Sequence, residues 1–147
     1  MPQSNDPFAH AENTAHTWLA VVRGRLGADD QQLAYRVLRA WLHVVRDRLT
    51  VQSAAHFAAQ LPELLRGVFY EGWNPAHVPT RYEVDGFVAR FAGSAGLTRA
   101  EVPAAAAAVT SALGELCSPG QLDHVLKLLP ESLVTLLTAG HGGRRAC

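Results

Sequence analysis

One segment of this chain occurs twice, and the recurrence limits the possible folds more than any other feature. The stretch His56–Glu63 returns 68 residues later as His124–Glu131. In both copies a histidine and an apolar run lead into the sequence Leu-Pro-Glu. Three pairs further upstream keep almost the same offset, namely Trp18 with Phe87, Gly24 with Gly93, and Gly27 with Gly96. This recurrence predicts one helical unit that is used twice.

Hydrophobic spacing identifies the type of unit. Apolar residues recur at helical intervals through most of the chain, and no stretch alternates with a period of two. The pattern therefore predicts an all-α fold of about eight helices, in two tandem four-helix repeats related by pseudo-twofold symmetry. We expect an extension over 1–13, a first repeat over 14–72, a connector over 73–82, a second repeat over 83–139 and a flexible tail over 140–147. The two repeats should form one compact domain.

Proline interrupts both copies of the repeated segment at the same place. A residue before proline is disfavoured from the helical region, so the chain should turn sharply at Leu61-Pro62 and at Leu129-Pro130. Each proline should then start the next helix. Superposition of the two halves should bring His56 onto His124.

The overall charge argues against binding by long-range attraction. The chain carries 13 basic and 13 acidic residues, with seven of each sign through Pro75 and six of each after it. A neutral chain attracts neither nucleic acid nor an anionic membrane by its overall field. Nucleic-acid binding is therefore disfavoured, and any binding must come from a local surface.

Cysteine content and the N-terminus indicate a compartment. The two cysteines, Cys117 and Cys147, cannot build a disulfide framework or a multi-cysteine zinc site. The first residues lack the basic and apolar regions of a signal peptide, and no segment has the roughly 20 apolar residues of a membrane span. These features predict a cytoplasmic protein without a membrane segment.

The corners and the junction between the halves carry a family resemblance. The sequences Gln60–Glu63 and Leu128–Glu131, together with Phe69–Pro75, resemble the bacterial domain-of-unknown-function family 2267 over about residues 14–137. The aromatic-Tyr-Glu-Gly-Trp junction is the most specific part of this resemblance. It implies a two-repeat, all-helical, cytoplasmic bacterial protein, and it transfers no activity and no site residues.

The second predicted helix carries a basic stripe. Its members follow one another at i, i+3, i+7 and i+10, and they are Arg36, Arg39, His43 and Arg46. This spacing places them along one side of a helix, opposite its apolar face, where the three arginines should be exposed. Such a stripe can receive an acidic partner surface or phosphates, or it can be an ordinary solvated face. Alanine or glutamate stands at the equivalent positions of the second half.

A second candidate site lies at the seam between the halves. Aromatic rings and a carboxylate are concentrated in Tyr70, Glu71 and Trp73, and the repeat places His56 and His124 at equivalent positions. A ligand can stack on Trp73 and bond Glu71, and the two histidines can meet across an axis. In the alternative, Trp73 is buried between the halves and each histidine lies at the rim of its own half.

Catalytic signatures are missing from the sequence. No histidine pair has metal-ligand spacing on one helix, and no Ser-His-Asp pattern or phosphate loop occurs. Cys117 reads as a small buried apolar residue. The sequence predicts no cofactor and no metal site.

Three functions follow as hypotheses. The first is a non-enzymatic protein-interaction module with an unidentified protein partner, and the run Ala104–Ala108 also allows a homodimer interface. The second is a small-molecule or metal-binding protein that uses the seam. The third is nucleic-acid binding through the basic stripe.

Overall fold

Eight α-helices follow one another in the computed structural model, which describes the backbone of residues 6–145 and the side chains of residues 6–138. Within that part of the chain there is no strand, so the all-α prediction is confirmed. The helices are α1 Ala9–Leu26, α2 Gln31–Arg46, α3 Val51–Ala58, α4 Glu63–Tyr70, α5 Val84–Ala95, α6 Val102–Leu116, α7 Gln121–Leu126 and α8 Glu131–Arg145. Short 3-10 turns occupy Pro75–His77 and Arg99–Glu101.

Side-chain caps set several helix starts. The Asp30 carboxylate accepts the backbone N–H groups of Gln32 and Leu33, so Asp30 caps α2. The Thr50 hydroxyl caps α3 by accepting the N–H of Ser53. These oxygens satisfy donors that the first helical turn leaves without a partner.

Both prolines interrupt the helical path, as predicted. α3 ends at Ala58 and α4 begins at Glu63, while α7 ends at Leu126 and α8 begins at Glu131. Pro62 has φ −67° and ψ 161°, which makes it the N-cap of α4 and not its first helical residue. The helix therefore starts one residue later than expected, because the extended ψ of Pro62 turns the chain before the helix begins.

The outer helices are longer than the sequence pattern indicates. α1 begins at Ala9 instead of Thr14, because Ala11 and Ala15 are small enough to pack and extend its buried face. α8 continues to Arg145, so residues 140–145 of the expected tail are helical. None of the helices in the described range is both long and apolar enough to cross a bilayer.

α2 occupies the centre of the fold. It packs against α1, α4, α5 and α6, and residues on most of its circumference are buried. The Trp41 indole N–H donates to the Thr110 hydroxyl of α6 at 3.0 Å, and this hydroxyl donates to the Ala106 carbonyl at 2.9 Å. Trp41 and Thr110 are both buried, so this chain of two bonds joins the first and second halves inside the core.

We predict that Thr110→Val lowers the free energy of unfolding by about 1–3 kcal/mol, because it keeps the side-chain volume but leaves the buried Trp41 N–H without an acceptor. Chemical denaturation followed by circular dichroism measures the change. Thr138→Val is the matched control, since the exposed Thr138 hydroxyl bonds only within α8. It should change stability by less than about 0.5 kcal/mol. Equal effects of the two variants would contradict a stabilising role for the buried bond.

Candidate functional site

A polar groove runs between α2 and α5 and has a volume of about 570 Å³. Its charged walls contain three arginines and two carboxylates, and its α5 side is formed by small residues. We call it the α2–α5 groove, and its lining comprises Arg39, His43, Val44, Arg46, Asp47, Glu71, Gly72, Ala89, Arg90, Gly93 and Ser94. Three of the four stripe residues therefore lie in one cavity.

Arg46 is not exposed as the stripe predicted; only 4% of its surface is accessible. Its Nη1 donates to the carbonyls of Phe69 and Glu71, each at 2.8 Å. Its Nε donates to the Asp47 carboxylate, also at 2.8 Å. The prediction is wrong for this residue because the end of α4 packs over α2 and presents carbonyls that the helix itself leaves unpaired.

The other two stripe arginines also contact the body of the protein. Arg36 is exposed, and its Nε donates to the carbonyl of Ala95 near the end of α5. Arg39 pairs with the Glu71 carboxylate at 3.1 Å, with about 32% and 59% of the two side chains accessible. A pair this exposed to water contributes between zero and about 1 kcal/mol. The Arg39 guanidinium can therefore exchange Glu71 for another carboxylate at little cost.

His43 is half-buried in the wall of the groove. Its Nε2 lies 2.7 Å from the Val68 carbonyl, which can only accept, so Nε2 carries the proton. Burial lowers the pKa of His43 below its usual 6.5, the bond to Val68 opposes this, and the charges of Arg46 and Arg39 add to the lowering. The imidazole is therefore neutral at neutral pH and ties α2 to α4.

The seam residues do not gather in one place. The Tyr70 and Trp73 rings pack at an angle of 46° with centroids 5.3 Å apart, whereas Glu71 faces the α2–α5 groove. Trp73 is half-buried against the core, so it fills the junction only in part, and its indole N–H is shielded from water without an acceptor among the described residues. The Tyr70–Trp73 pair thus packs at the junction, apart from the charged groups of the groove.

His56 and His124 meet. Their ring centroids lie 5.6 Å apart at an interplanar angle of 62°, and both residues are exposed. His56 belongs to α3 and His124 to α7, so the contact joins the two halves at the surface. The fold therefore brings together two histidines that the sequence recurrence predicts to be equivalent.

Cys117 behaves as the sequence suggested. It is buried, and burial raises the pKa of its thiol to about 11. The thiol is therefore protonated at neutral pH and packs as a small apolar side chain. Cys147 lies outside the described residues. Among residues with described side chains, no group of three or more His, Cys, Asp or Glu side chains is placed to hold a metal ion.

Sequence reasoning missed Arg90 as a member of the groove. Arg90 is exposed on α5, and its guanidinium carbon lies 4.8 Å from the centroid of the Tyr82 ring. This cation–π contact holds the charge beside the groove. No local signal identifies Arg90, because a single arginine on an amphipathic helix is common and only the packing of α5 on α2 brings it to Arg39.

We predict that Arg46→Met lowers the free energy of unfolding by on the order of 3 kcal/mol, because the Phe69 and Glu71 carbonyls and the Asp47 carboxylate lose their donor. Urea unfolding measures the loss. Arg39→Met serves as the control and should cost less than about 1 kcal/mol, since its ion pair is exposed. If both variants unfold at the same urea concentration, Arg46 contributes no more than a surface arginine.

Comparison with known proteins identifies the family of this chain. The family model described as "Uncharacterized conserved protein (DUF2267)" matches residues 15–136. No curated protein matches the sequence. The matched range contains all of α2 through α7 and parts of α1 and α8, so it includes both the α2–α5 groove and the His56–His124 contact. The resemblance seen in the corners and the junction is confirmed, and the chain belongs to the DUF2267 family of uncharacterized conserved proteins.

Proposed function

We propose that this protein is a non-enzymatic interaction module and that its α2–α5 groove receives an acidic segment of a protein partner. The observation that carries the proposal is the charge of this groove. Arg39, Arg46 and Arg90 line it against Asp47 and Glu71, and Arg36 adds a further positive charge near the end of α5. A chain with no net charge thereby presents a local excess of positive charge in one concave surface.

The hydrogen bonds of the groove are those of a binding site and not of a catalytic site. Arg46 and the Nε2–H of His43 donate to backbone carbonyls, so they hold the walls in place. Arg39 and Arg90 stand at the accessible edge, where their guanidinium groups can each take a carboxylate in a bidentate fashion. The groove therefore has fixed inner walls and an adaptable cationic rim.

The shape of the α5 wall supports a peptide ligand. Ala89, Gly93 and Ser94 form this wall, and small side chains let a partner backbone approach closely. A Cβ atom added at Gly93 would meet nothing within 4 Å. The space above Gly93 is open, so a larger side chain placed there would occupy the groove without disturbing the core.

We predict that a displayed library of random peptides, panned on the whole protein, yields acid-rich sequences. Arg39→Gln and Arg90→Gln should each weaken a selected peptide about tenfold, because each removes one charge-assisted pair. Glu71→Gln should strengthen binding, since Glu71 competes for Arg39. Calorimetric titration measures these affinities. Selection of peptides without acidic residues would contradict the proposal.

Gly93→Gln separates binding from folding. The substitution replaces a helical glycine and should raise stability by about 0.5 kcal/mol while its side chain fills the groove and abolishes peptide binding. Gly67→Gln is the matched control, because a Cβ atom at this exposed α4 position also meets nothing within 4 Å. Gly67→Gln should stabilise the protein by a similar amount to Gly93→Gln and leave the peptide affinity unchanged. Peptide binding that survives Gly93→Gln would place the site elsewhere.

The nucleic-acid alternative has a separate test. Asp47 and Glu71 lie among the arginines and repel phosphates, which favours a partner that offers isolated carboxylates. Binding of a labelled duplex that weakens steeply with salt and is lost in Arg39→Gln would favour nucleic acid over an acidic peptide.

We also propose a bacterial, cytoplasmic setting, which rests on the family resemblance and on the sequence features described above.

We further propose that the fold is an internal duplication, with α1–α4 related to α5–α8 by a pseudo-twofold axis. Gly27 and Gly96 support this, because they end α1 and α5 with φ values of 72° and 73°. The contacts Trp41–Thr110 and His56–His124 each join positions that the sequence repeat makes equivalent. A residue beside a twofold axis contacts its own equivalent in this way.

The duplication accounts for a second groove. α1 and α6 enclose about 540 Å³, in the same relation as α5 and α2. Alanines line much of it, and Arg25 bridges to Ser111 and Glu115 across one end. Superposed experimental coordinates of the two halves should place His56 on His124, and a mismatch of more than one helical turn would contradict the duplication.

The His56–His124 contact favours metal binding as a second candidate function. A metal ion lies about 2.0–2.1 Å from an imidazole nitrogen, so two such rings at a tetrahedral angle have centres roughly 5 Å apart. The observed 5.6 Å is close to this value, and exposed rings can turn. Calorimetric titration with Zn²⁺ or Ni²⁺ should show binding that His56→Gln or His124→Gln removes and His10→Gln preserves. Equal binding by all variants would contradict a site at the seam.

A further inference from the structure

A second polar cavity, separate from the α2–α5 groove, lies where the end of α2, the start of α3 and the segment before α5 meet. Its volume is about 350 Å³. Two arginines, three hydroxyl residues and three apolar residues line it, and they are Arg48, Arg81, Thr50, Ser53, Thr80, Leu49, Pro79 and Leu128. The lining contains no carboxylate. We call it the Arg48–Arg81 pocket.

The two guanidinium groups are not neutralised. Arg48 and Arg81 have no carboxylate within ion-pair distance in the described part of the chain. The Nη1 of Arg48 donates to the Thr80 carbonyl, whereas its Nε–H is shielded from water and has no acceptor among the described residues. The Nη2 group of Arg48 has no hydrogen-bond partner among the described residues and is not shielded, so it is the part of this guanidinium that can meet a ligand.

Hydroxyl groups complete the set of donors. The Thr50 oxygen accepts the Ser53 N–H, which leaves the hydroxyl proton of Thr50 free to donate. The Ser53 side chain has no hydrogen-bond partner among the described residues, so its hydroxyl is also available. Both residues stand at the start of α3, where the helix dipole adds positive potential. The cavity thus offers donors from two arginines and two hydroxyls.

The wall opposite α3 is held in place by backbone contacts. The carbonyl of Asp47 accepts both the N–H of Thr80 at 2.7 Å and its hydroxyl at 3.0 Å. These bonds fix the segment that carries Arg81 against the end of α2. A site whose donors are already positioned loses less entropy when a ligand binds.

We propose that the Arg48–Arg81 pocket binds the phosphate group of a small phosphate monoester or free phosphate. Guanidinium groups and hydroxyls are donors that phosphate takes, the exposed Arg81 can bind it in a bidentate fashion, and no acid in the lining repels it. The volume lies at the lower end of small-molecule sites and exceeds the needs of phosphate alone. Leu49, Pro79 and Leu128 provide an apolar wall for the carbon part of an ester.

Calorimetric titration of the full chain tests this proposal, with inorganic phosphate and glycerol 3-phosphate as probes and chloride holding the ionic strength constant. We expect both probes to bind in a one-to-one ratio. Tighter binding of glycerol 3-phosphate identifies an ester as the ligand, and equal or weaker binding identifies free phosphate. Because phosphate also stabilises proteins by exclusion from their surface, a thermal shift alone is not the readout.

Variants locate the binding. Arg81→Gln should weaken both probes about tenfold because it removes the bidentate guanidinium, and Ser53→Ala should weaken them less. The exposed Arg99 is distant in sequence from the pocket, and Arg99→Gln is the matched control that should leave the affinity unchanged. Absence of binding, or binding that Arg81→Gln does not weaken, would overturn the proposal.

The peptide proposal and the phosphate proposal can be tested independently. Gly93→Gln fills only the α2–α5 groove, so phosphate affinity should survive it. Arg81→Gln lies outside that groove, so the acidic peptide should still bind. A single variant that removes both activities would show that the two cavities are not independent, and would overturn the assignment of phosphate to the Arg48–Arg81 pocket.

Discussion

The central position of α2 is the constraint on which the rest of the structure depends. Four helices pack around it, so each polar group on its surface must find a partner inside the protein or lie at a narrow accessible edge. The Trp41 indole reaches α6, His43 and Arg46 reach carbonyls of α4, and Arg36 reaches α5. The basic stripe is thus largely a set of links from one helix to its neighbours. Arg39 is the member that keeps an exchangeable partner.

Two grooves flank the central helices, and their chemistry differs although their construction is similar. The α2–α5 groove is lined by arginines and small residues, whereas the groove between α1 and α6 is lined by alanines and bridged by Arg25. Under the proposed duplication, both come from one ancestral surface. Arg39 then corresponds to Ala108, so the charge that the proposed binding needs is present in only one of the two grooves.

Local chemistry explains why many elements could be predicted. The corners at Leu61-Pro62 and Leu129-Pro130 follow from the backbone limits that proline imposes, and these limits act within two residues. The burial of Cys117 and of the apolar face of α2 follows from hydrophobic spacing. The helix ends are harder to predict, because Asp29 and Asp30 can each cap α2 and only the geometry decides that Asp30 does.

The candidate sites were only partly predictable, since they combine residues that are distant in sequence. Arg39 and His43 were recognised from their spacing on one helix, but Arg90 joins them only through the packing of α5. No sequence pattern identifies Arg48 or Arg81 as a site residue. Arg48 is a single charged residue after the end of α2, and Arg81 is a single charged residue in the connector before α5. The repeat did single out His56 and His124, although it did not say that they touch.

The sequence by itself determined the helical class, the two proline corners, the balance of charge and the family to which the chain belongs. These properties depend on residue type and short-range spacing, which are present before any helix packs against another. The tertiary structure decided that Arg46 is buried, that His56 meets His124, that Arg39 shares a groove with Arg90, and that Arg48 shares a pocket with Arg81. Each of these outcomes depends on which carbonyls, rings and charges are brought together across the fold. Helical spacing assigns a residue to a face, and only packing decides what that face meets.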